Sequence, residues 1–357
     1  MAADPRAQAE ALYARIGAAL SRPTALMEVC GTHTMAIGRH GLRSRLPEGL
    51  RLISGPGCPV CVTPASDVDR AIAMAHEPGV ILTTFGDMLR VPGGRSSLAR
   101  ARAEGADVRV VYSPMEALAL ARAEPLKTVV FVGIGFETTT PTIAATMVRA
   151  QREGVGNFCV LPCFKLVPPA MEALVASPVT KIDGFICPGH VSALIGLAPY
   201  EPLAARGVPC VVTGFEALDI LAGVAMLVEQ VAAGVAKVEN QYTRAVPAAG
   251  NPTAMGFIHQ VFEPCDAPWR GIGTLPGTGL TPRPEYAAMD ARTRVPVEIP
   301  PPADLPKGCS CGQVMLGLLL PPECPLFGRG CTPAHPVGPC MVSSEGACAA
   351  YHKYGGA

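Results

Sequence analysis

The sequence predicts an α/β protein: two parallel-sheet α/β domains facing a cleft, plus a loop-rich carboxyl-terminal domain bearing cysteines. Between about residues 24 and 230, short β-branched runs alternate with Ala-rich helical stretches, the pattern of βαβ units. Gly- and Pro-marked loops follow the strands, at the edge where open α/β sheets bind ligands. Past about residue 240 the alternation stops, and six of the fourteen cysteines crowd into the last fifty residues.

The elements follow in order. Residues 1–23 predict a short amphipathic helix. An apolar start at Thr24 then leads to a strand end at Cys30. Runs at 51–54, 80–84, 108–112, 128–133, 158–162, 184–187 and 208–213 read as buried strands. Between them, 66–75, 114–123, 141–152, 168–177 and 216–235 read as helices, the first with Ser66 as its N-cap ahead of Asp67. The alternation runs twice, which predicts one α/β domain over 24–125 and a second over 126–238, their loops gathered along one cleft. Region 239–357 is Pro/Gly-rich, with little periodicity over 264–307, and ends in the cysteine tail. Such a region needs an external staple to be ordered.

Composition narrows the function. Hydrophobic residues make up 49% and charged residues 16% of the chain, with a mean hydropathy of +0.31. The apolar runs are nevertheless too short or too broken for the roughly 20 residues of a membrane helix, so no membrane role is expected. The amino terminus carries acids and lacks a basic start ahead of an apolar core, unlike a signal peptide. A cytoplasmic location follows, in which fourteen cysteines mean reduced thiols, metal ligands or redox pairs. Twenty-nine basic and twenty-nine acidic residues cancel, and aromatics are only 5%. With no basic stripe and few stacking platforms, nucleic acid is not expected as a partner.

Four motifs carry chemistry. In Glu28-Val29-Cys30-Gly31-Thr32-His33, a Cys at a strand end precedes a His by three residues. That suits a thiolate assisted by imidazole or a Cys/His metal site, and equally a small buried Cys beside a structural His. In Gly55-Pro56-Gly57-Cys58-Pro59-Val60-Cys61, a C-x-x-C pair sits in a loop stiffened by Pro. It is half of a zinc site, with Cys30 and His33 as the nearest further ligands, or a dithiol redox pair; the spacing favours redox. Gly133-Ile134-Gly135-Phe136-Glu137-Thr138-Thr139-Thr140-Pro141 follows a strand and opens a helix, but lacks the Lys of a phosphate-binding loop. It reads as an anion-tolerant turn, or simply as a strand–helix turn with Glu137 capping. Cys187-Pro188-Gly189-His190 ends another strand with a second Cys/His pair, and Asp87 adds a carboxylate at the same edge. Convergence of Cys30, His33, Cys58, Cys61, Asp87, Glu137 and His190 on one cleft is the expectation. Cys159, Cys163, Cys210 and Cys265 read as inert thiols.

The tail holds Cys309-x14-Cys324-x6-Cys331-x16-Cys348, with Cys311 and Cys340 between them. Thiolates at this density suit zinc or an iron–sulfur cluster. Structural zinc usually draws on two close Cys pairs, so these long, uneven intervals favour a cluster wrapped by loops.

These phrases together, MEVCGTHTMAIGRHG, GPGCPVCVTP, FGDMLRVPG, GFETTTPT, CPGHVSALIG and CPLFGRGCTPAHPVGPCMVSSEGACAAYHKY, resemble the HypD family of [NiFe]-hydrogenase maturation proteins, from about residue 24 to 354. The resemblance implies a scaffold and redox protein that assembles the Fe(CN)2CO unit of the hydrogenase. It implies iron held at Cys30 together with a cysteine of a HypC-type small chaperone, and a HypE-type partner that delivers cyanide. It also implies a redox dithiol at Cys58 and Cys61, fed by a [4Fe–4S] cluster in the tail. The resemblance implies that Cys309, Cys324, Cys331 and Cys348 hold that cluster, with Cys311 and Cys340 as rivals. A cluster-dependent thiol-disulfide reductase acting on protein substrates is the alternative reading.

Overall fold

The computed structural model describes residues 4–299, 301 and 305–355. Parts of the expected amino-terminal segment (1–3) and carboxyl-terminal region (300, 302–304, 356–357) lie outside the described residues. In chain order the strands are β1 (Thr24–Glu28), β2 (Leu50–Ser54), β3 (Val80–Thr84), β4 (Val108–Val110), β5 (Thr128–Gly133) and β6 (Phe158–Pro162). Then come β7 (Gly184–Pro188), β8 (Cys210–Thr213), β9 (Val238–Asn240), β10 (Phe262–Trp269) and β11 (Gly273–Pro282).

Two parallel sheets result, with orders β2-β1-β7-β8-β9 and β4-β3-β5-β6. The α/β class is as the sequence predicts, because each central strand is apolar on both faces. All five residues of β3 are buried, as are the last five of β5. A fully buried Val, Ile or Leu stabilises the fold by about 2 kcal/mol. Helices cover both faces, and those at Pro114–Ala123, Thr140–Arg152 and Ala217–Ala233 lie within two residues of their predicted ends.

The sheets are not, however, the two sequential halves expected on either side of residue 125. β1 pairs with β7, at Leu26↔Gly184 through Glu28↔Ile186, whereas β3 pairs with β5. The four-stranded sheet is thus inserted between β2 and β7. Parallel pairing is non-local, and a run of Val and Ile does not specify its neighbour.

Two further differences are local. Helix Ala65–His76 begins one residue earlier than predicted, with Pro64 at its N-cap and no side-chain capping bond. Ser66 lies inside the first turn instead of capping it. In the stretch with little periodicity, β10 and β11 form an antiparallel hairpin with a bulge between Cys265 and Ala267. Its prolines are tolerated because a two-stranded ribbon has open edges. The amino-terminal helix Pro5–Ala19 buries Ile16 against helix Ala217–Ala233. Among the described residues no helix is long and apolar enough to cross a membrane.

Candidate thiol and metal centre

Cys30 lies at the carboxyl end of β1, as the N-cap of helix Gly31–Arg39. Its thiol is half-buried and makes no capping hydrogen bond, although the nearby backbone N–H groups of His33 and Thr32 favour its thiolate. Burial is the larger influence and, with the Glu345 and Glu28 carboxylates, raises its pKa to about 11. At neutral pH this thiol keeps its proton unless a cation displaces it.

The Gly-Pro-Gly loop after β2 packs directly against it. Gly31 N–H donates to the Gly57 carbonyl at 3.1 Å. A Cβ on Gly57 would collide with the Cys30 backbone, 2.6 Å from its Cα, so only glycine allows this approach. One residue on, Cys58 caps the short helix Pro59–Val62, and its Sγ accepts the Cys61 N–H at 3.2 Å. Cys58 and Cys61 are joined by a disulfide, with Cα atoms 5.2 Å apart, and both are buried.

The tail closes over this loop. Thr32 Oγ1 donates to Glu345 at 3.3 Å, and a Cβ on Gly31 would stand 2.5 Å from the Glu345 carbonyl oxygen. Cys61 Sγ lies 3.8 Å from the Pro339 carbonyl oxygen. A small cavity is lined by Gly31, Thr34, Cys58, Cys61, Cys340 and Glu345. Cys340 also lines a second cavity, together with Cys309, Cys311, Cys324, Cys331 and Cys348. All six tail cysteines therefore share one chamber, its other walls including Leu326, Phe327 and Met341. Cys311 Sγ and Cys340 Sγ are 2.6 Å apart, and Val337 donates its N–H to Cys331 Sγ at 3.3 Å.

An apolar chamber lined by thiols and serviced by N–H···S bonds fits an iron–sulfur cluster. Among the described residues no three His, Cys, Asp or Glu side chains converge at the close spacing of a single metal ion. A cubane is wider than one ion, so its thiolates stand farther apart.

The remaining expected residues divide. His33 is fully buried, and Nε2 contacts Thr213 Oγ1 at 2.9 Å and the Gly214 carbonyl at 3.0 Å. Burial lowers its pKa to about 4, so it is neutral. Its ring stacks on Phe215 at 4.6 Å, and His190 stacks on the same ring at 4.0 Å. These imidazoles form their own cluster, turned toward β8. Asp87 is exposed in the turn Gly86–Arg90; burial raises the pKa of the Glu345 carboxyl, and the charge of Asp87 adds a smaller push in the same direction. Glu137 is buried and caps a neighbouring helix, accepting the Val167 N–H at 2.9 Å. Cys187 is buried inside β7 beside Cys210 of β8, and burial holds its thiol protonated.

Sequence reasoning missed Glu28, the residue beneath Cys30. It is fully buried, accepts Thr34 Oγ1 at 2.6 Å and the Cys30 N–H at 3.3 Å, and burial raises its pKa to about 7. A carboxylate closing the apolar strand TALME was the available signal. Phe215 and Glu345, which meet the motifs only through tertiary packing, carried none.

Comparison with known proteins identifies the family. A family model described as HypD, "Hydrogenase formation hypA family", matches residues 7–355. A "Hydrogenase maturation factor HypD" of Rhodobacter capsulatus is 48% identical over 348 residues, covering 96% of this chain and 92% of the relative. The protein of that name in Escherichia coli (strain K12) is 47% identical over 337 residues, covering 93% and 90%. A "Putative hydrogenase expression/formation protein" of Methanocaldococcus jannaschii is 46% identical over 331 residues, covering 92% and 91%. With a match over nearly its whole length and close relatives in bacteria and an archaeon, this chain belongs to the HypD family of hydrogenase maturation factors.

Proposed function

We propose that this chain acts in hydrogenase maturation as the scaffold and redox protein on which the Fe(CN)2CO unit is assembled. One observation carries the reading: Cys340 lines both the cavity beside the Cys58–Cys61 disulfide and the chamber of six cysteines. The Cys58–Cys61 pair, the six-cysteine chamber proposed as electron source and the half-buried thiol at Cys30 therefore adjoin one another.

Cys30 is half-buried, unlike the buried Cys58 and Cys61, and so can be reached by a partner. It would ligate the substrate iron with a cysteine of a HypC-type chaperone, while a HypE-type partner delivers cyanide. Soft, low-spin iron bearing CN and CO suits thiolate ligands. The helix amino terminus at Thr32 and His33 offers N–H donors to the coordinated sulfur.

For the resident cluster we assign Cys309, Cys324, Cys331 and Cys348. Cys311 and Cys340 are too close, at 2.6 Å, to occupy separate corners of a cubane, and Cys340 also lines the cavity beside the disulfide. When bound, the cluster supplies electrons one at a time. Opening the Cys58–Cys61 bond takes two electrons and two protons and yields two thiols. Cys340 lines both cavities, and with Cys311 beside it could hold the same two-electron change. Burial of Cys58 and Cys61, 5% and 1% exposed, weighs against the reductase alternative, since a protein substrate's disulfide cannot reach them.

Absorption and electron paramagnetic resonance of anaerobically purified protein test the cluster, and hydrogenase maturation by Cys58→Ser tests the dithiol. We expect a brown, reducible protein and loss of maturation. A colourless protein with stoichiometric zinc, or full maturation with Cys58→Ser, would overturn the redox reading.

A further inference from the structure

Away from the thiol and metal centre, a cavity of about 130 Å³ opens where helix Ala65–His76, the loop after β6 and the β10–β11 hairpin meet. Its walls carry five charged side chains, Asp67, Arg70, Lys165, Asp266 and Arg292, beside the thiol of Cys265. The space suits a molecule of a few heavy atoms and is too small for a nucleotide.

Lys165 is the informative wall. It is only 2% exposed, and its ammonium makes no hydrogen bond among the described residues. Its backbone alone is engaged, the N–H donating to the Gly135 carbonyl at 3.1 Å. Nζ faces the Asp67 carboxylate, but at 3.9 Å from Oδ2 it stands beyond hydrogen-bond reach. An ammonium carries three donors, and buried donors in native structures are met by protein, water or an ion.

The charge around it is unbalanced. Lys165, Arg70, Arg292 and Arg270 all act on the one carboxyl of Asp67, yet burial still raises its pKa and so weakens it as a counter-ion. Two of these cations are satisfied elsewhere. Arg292 binds Asp290 at 2.6 Å and Thr281 Oγ1 at 2.7 Å, and Arg270 donates to the Thr63 and Pro92 carbonyls. Asp266 is exposed and accepts the Gly277 N–H at 2.9 Å, within its own hairpin. Arg70 is half-buried, and its side chain has no hydrogen bond or ion pair among the described residues. Lys165 and Arg70 therefore share Asp67 alone, two cations against one acid. One further negative charge is wanted.

We propose that this cavity binds a small oxyanion, its oxygens accepting from the ammonium of Lys165 and the guanidinium of Arg70. Such an ion supplies the acceptors that Asp67 stands too far away to offer, through charge-assisted hydrogen bonds. The site uses none of the cysteines assigned to iron, to the disulfide or to the cluster. It stands whether or not the maturation reading holds.

Equilibrium dialysis of the full-length, cluster-loaded protein tests this, with radiolabelled sulfate and separately with radiolabelled acetate, at constant ionic strength set by chloride. We expect saturable binding in the wild type, weakened roughly tenfold or more in Lys165→Met, the scale of one charged hydrogen bond. Arg70→Gln should weaken it similarly while the melting temperature stays unchanged, since that side chain has no partner to lose. This variant carries the test should Lys165→Met fail to fold. Tighter sulfate assigns the site to a tetrahedral oxyanion, tighter acetate to a carboxylate, and equal affinity to an oxyanion of either shape; all three support the proposal. No saturable binding of either ion, the result expected if water alone meets Lys165, overturns it. So does binding that is undiminished in folded Lys165→Met or in Arg70→Gln.

Discussion

The two cysteine regions are built in opposite ways. Cys30, Cys58 and Cys61 sit on loops fixed by a parallel sheet, with Glu28, Gly31 and Gly57 locking backbone to backbone. The tail has little regular structure, mainly the short helices Cys311–Met315, Pro339–Val342 and Ala347–Tyr354 around its chamber. The first region is positioned by packing alone. The second wraps its six cysteines in short helices and loops and covers the first through Glu345 and Pro339. On the proposed function, a thiol site that hands over its metal would be held by the sheet-anchored region, with the cluster-binding tail as its cover.

The largest expected effect separates the two. Cys324→Ser should prevent cluster loading and leave the stretch beyond residue 305 open to proteolysis, a loss on the order of several kcal/mol locally. The sheets should still melt cooperatively by circular dichroism. If sheets and tail unfold together, the contrast is wrong. Next, Gly57→Ala drives a Cβ into the Cys30 backbone and should cost about 3 kcal/mol in denaturant unfolding, because neither loop can give way. Cluster absorption should remain while maturation falls.

A smaller effect belongs to the scaffold alone. Burial raises Glu137 from 4.5 to about 7, so the folded protein keeps a proton that the unfolded chain has released. Unfolding free energy of the sheets should therefore fall as pH rises from about 4.5 to about 7 and level off above that. Glu137→Gln keeps the bond to Val167 and should flatten this decline, by on the order of 2 kcal/mol above neutrality. An unchanged pH profile would remove Glu137 from the account. Smallest of all, Arg15→Ala breaks an exposed pair with Glu229 and should cost no more than about 1 kcal/mol, read as a slight shift in the melting of the sheets.

Much of the scaffold was legible in the sequence. Strands β3, β5 and β6 and helix Pro114–Ala123 fall on their predicted residues, because burial on both faces and Ala-rich periodicity are local signals. The pairing of β1 with β7 was not, since it spans more than one hundred and fifty residues and leaves no mark on either strand. The same holds within the site. Cys30, Cys58 and Cys61 announce themselves by spacing. Glu345 above Cys30, Phe215 between two imidazoles, and Cys340 shared by two cavities exist only once the tail folds back. Glu137 shows the converse: its motif read as an anion-tolerant turn or as a turn with Glu137 capping, and the carboxylate does cap, but on a neighbouring helix that the sequence could not point to.

The central claim is that substrate iron is held at Cys30 while the tail cysteines hold a separate resident cluster. Infrared spectroscopy with iron quantification on the complex with the small chaperone tests this directly, comparing the wild-type protein with Cys30→Ala. The account predicts CO and CN stretching bands in the wild-type complex that vanish in Cys30→Ala, with cluster iron and visible absorption unchanged. Bands that persist in Cys30→Ala, or that disappear only together with the cluster, would contradict it.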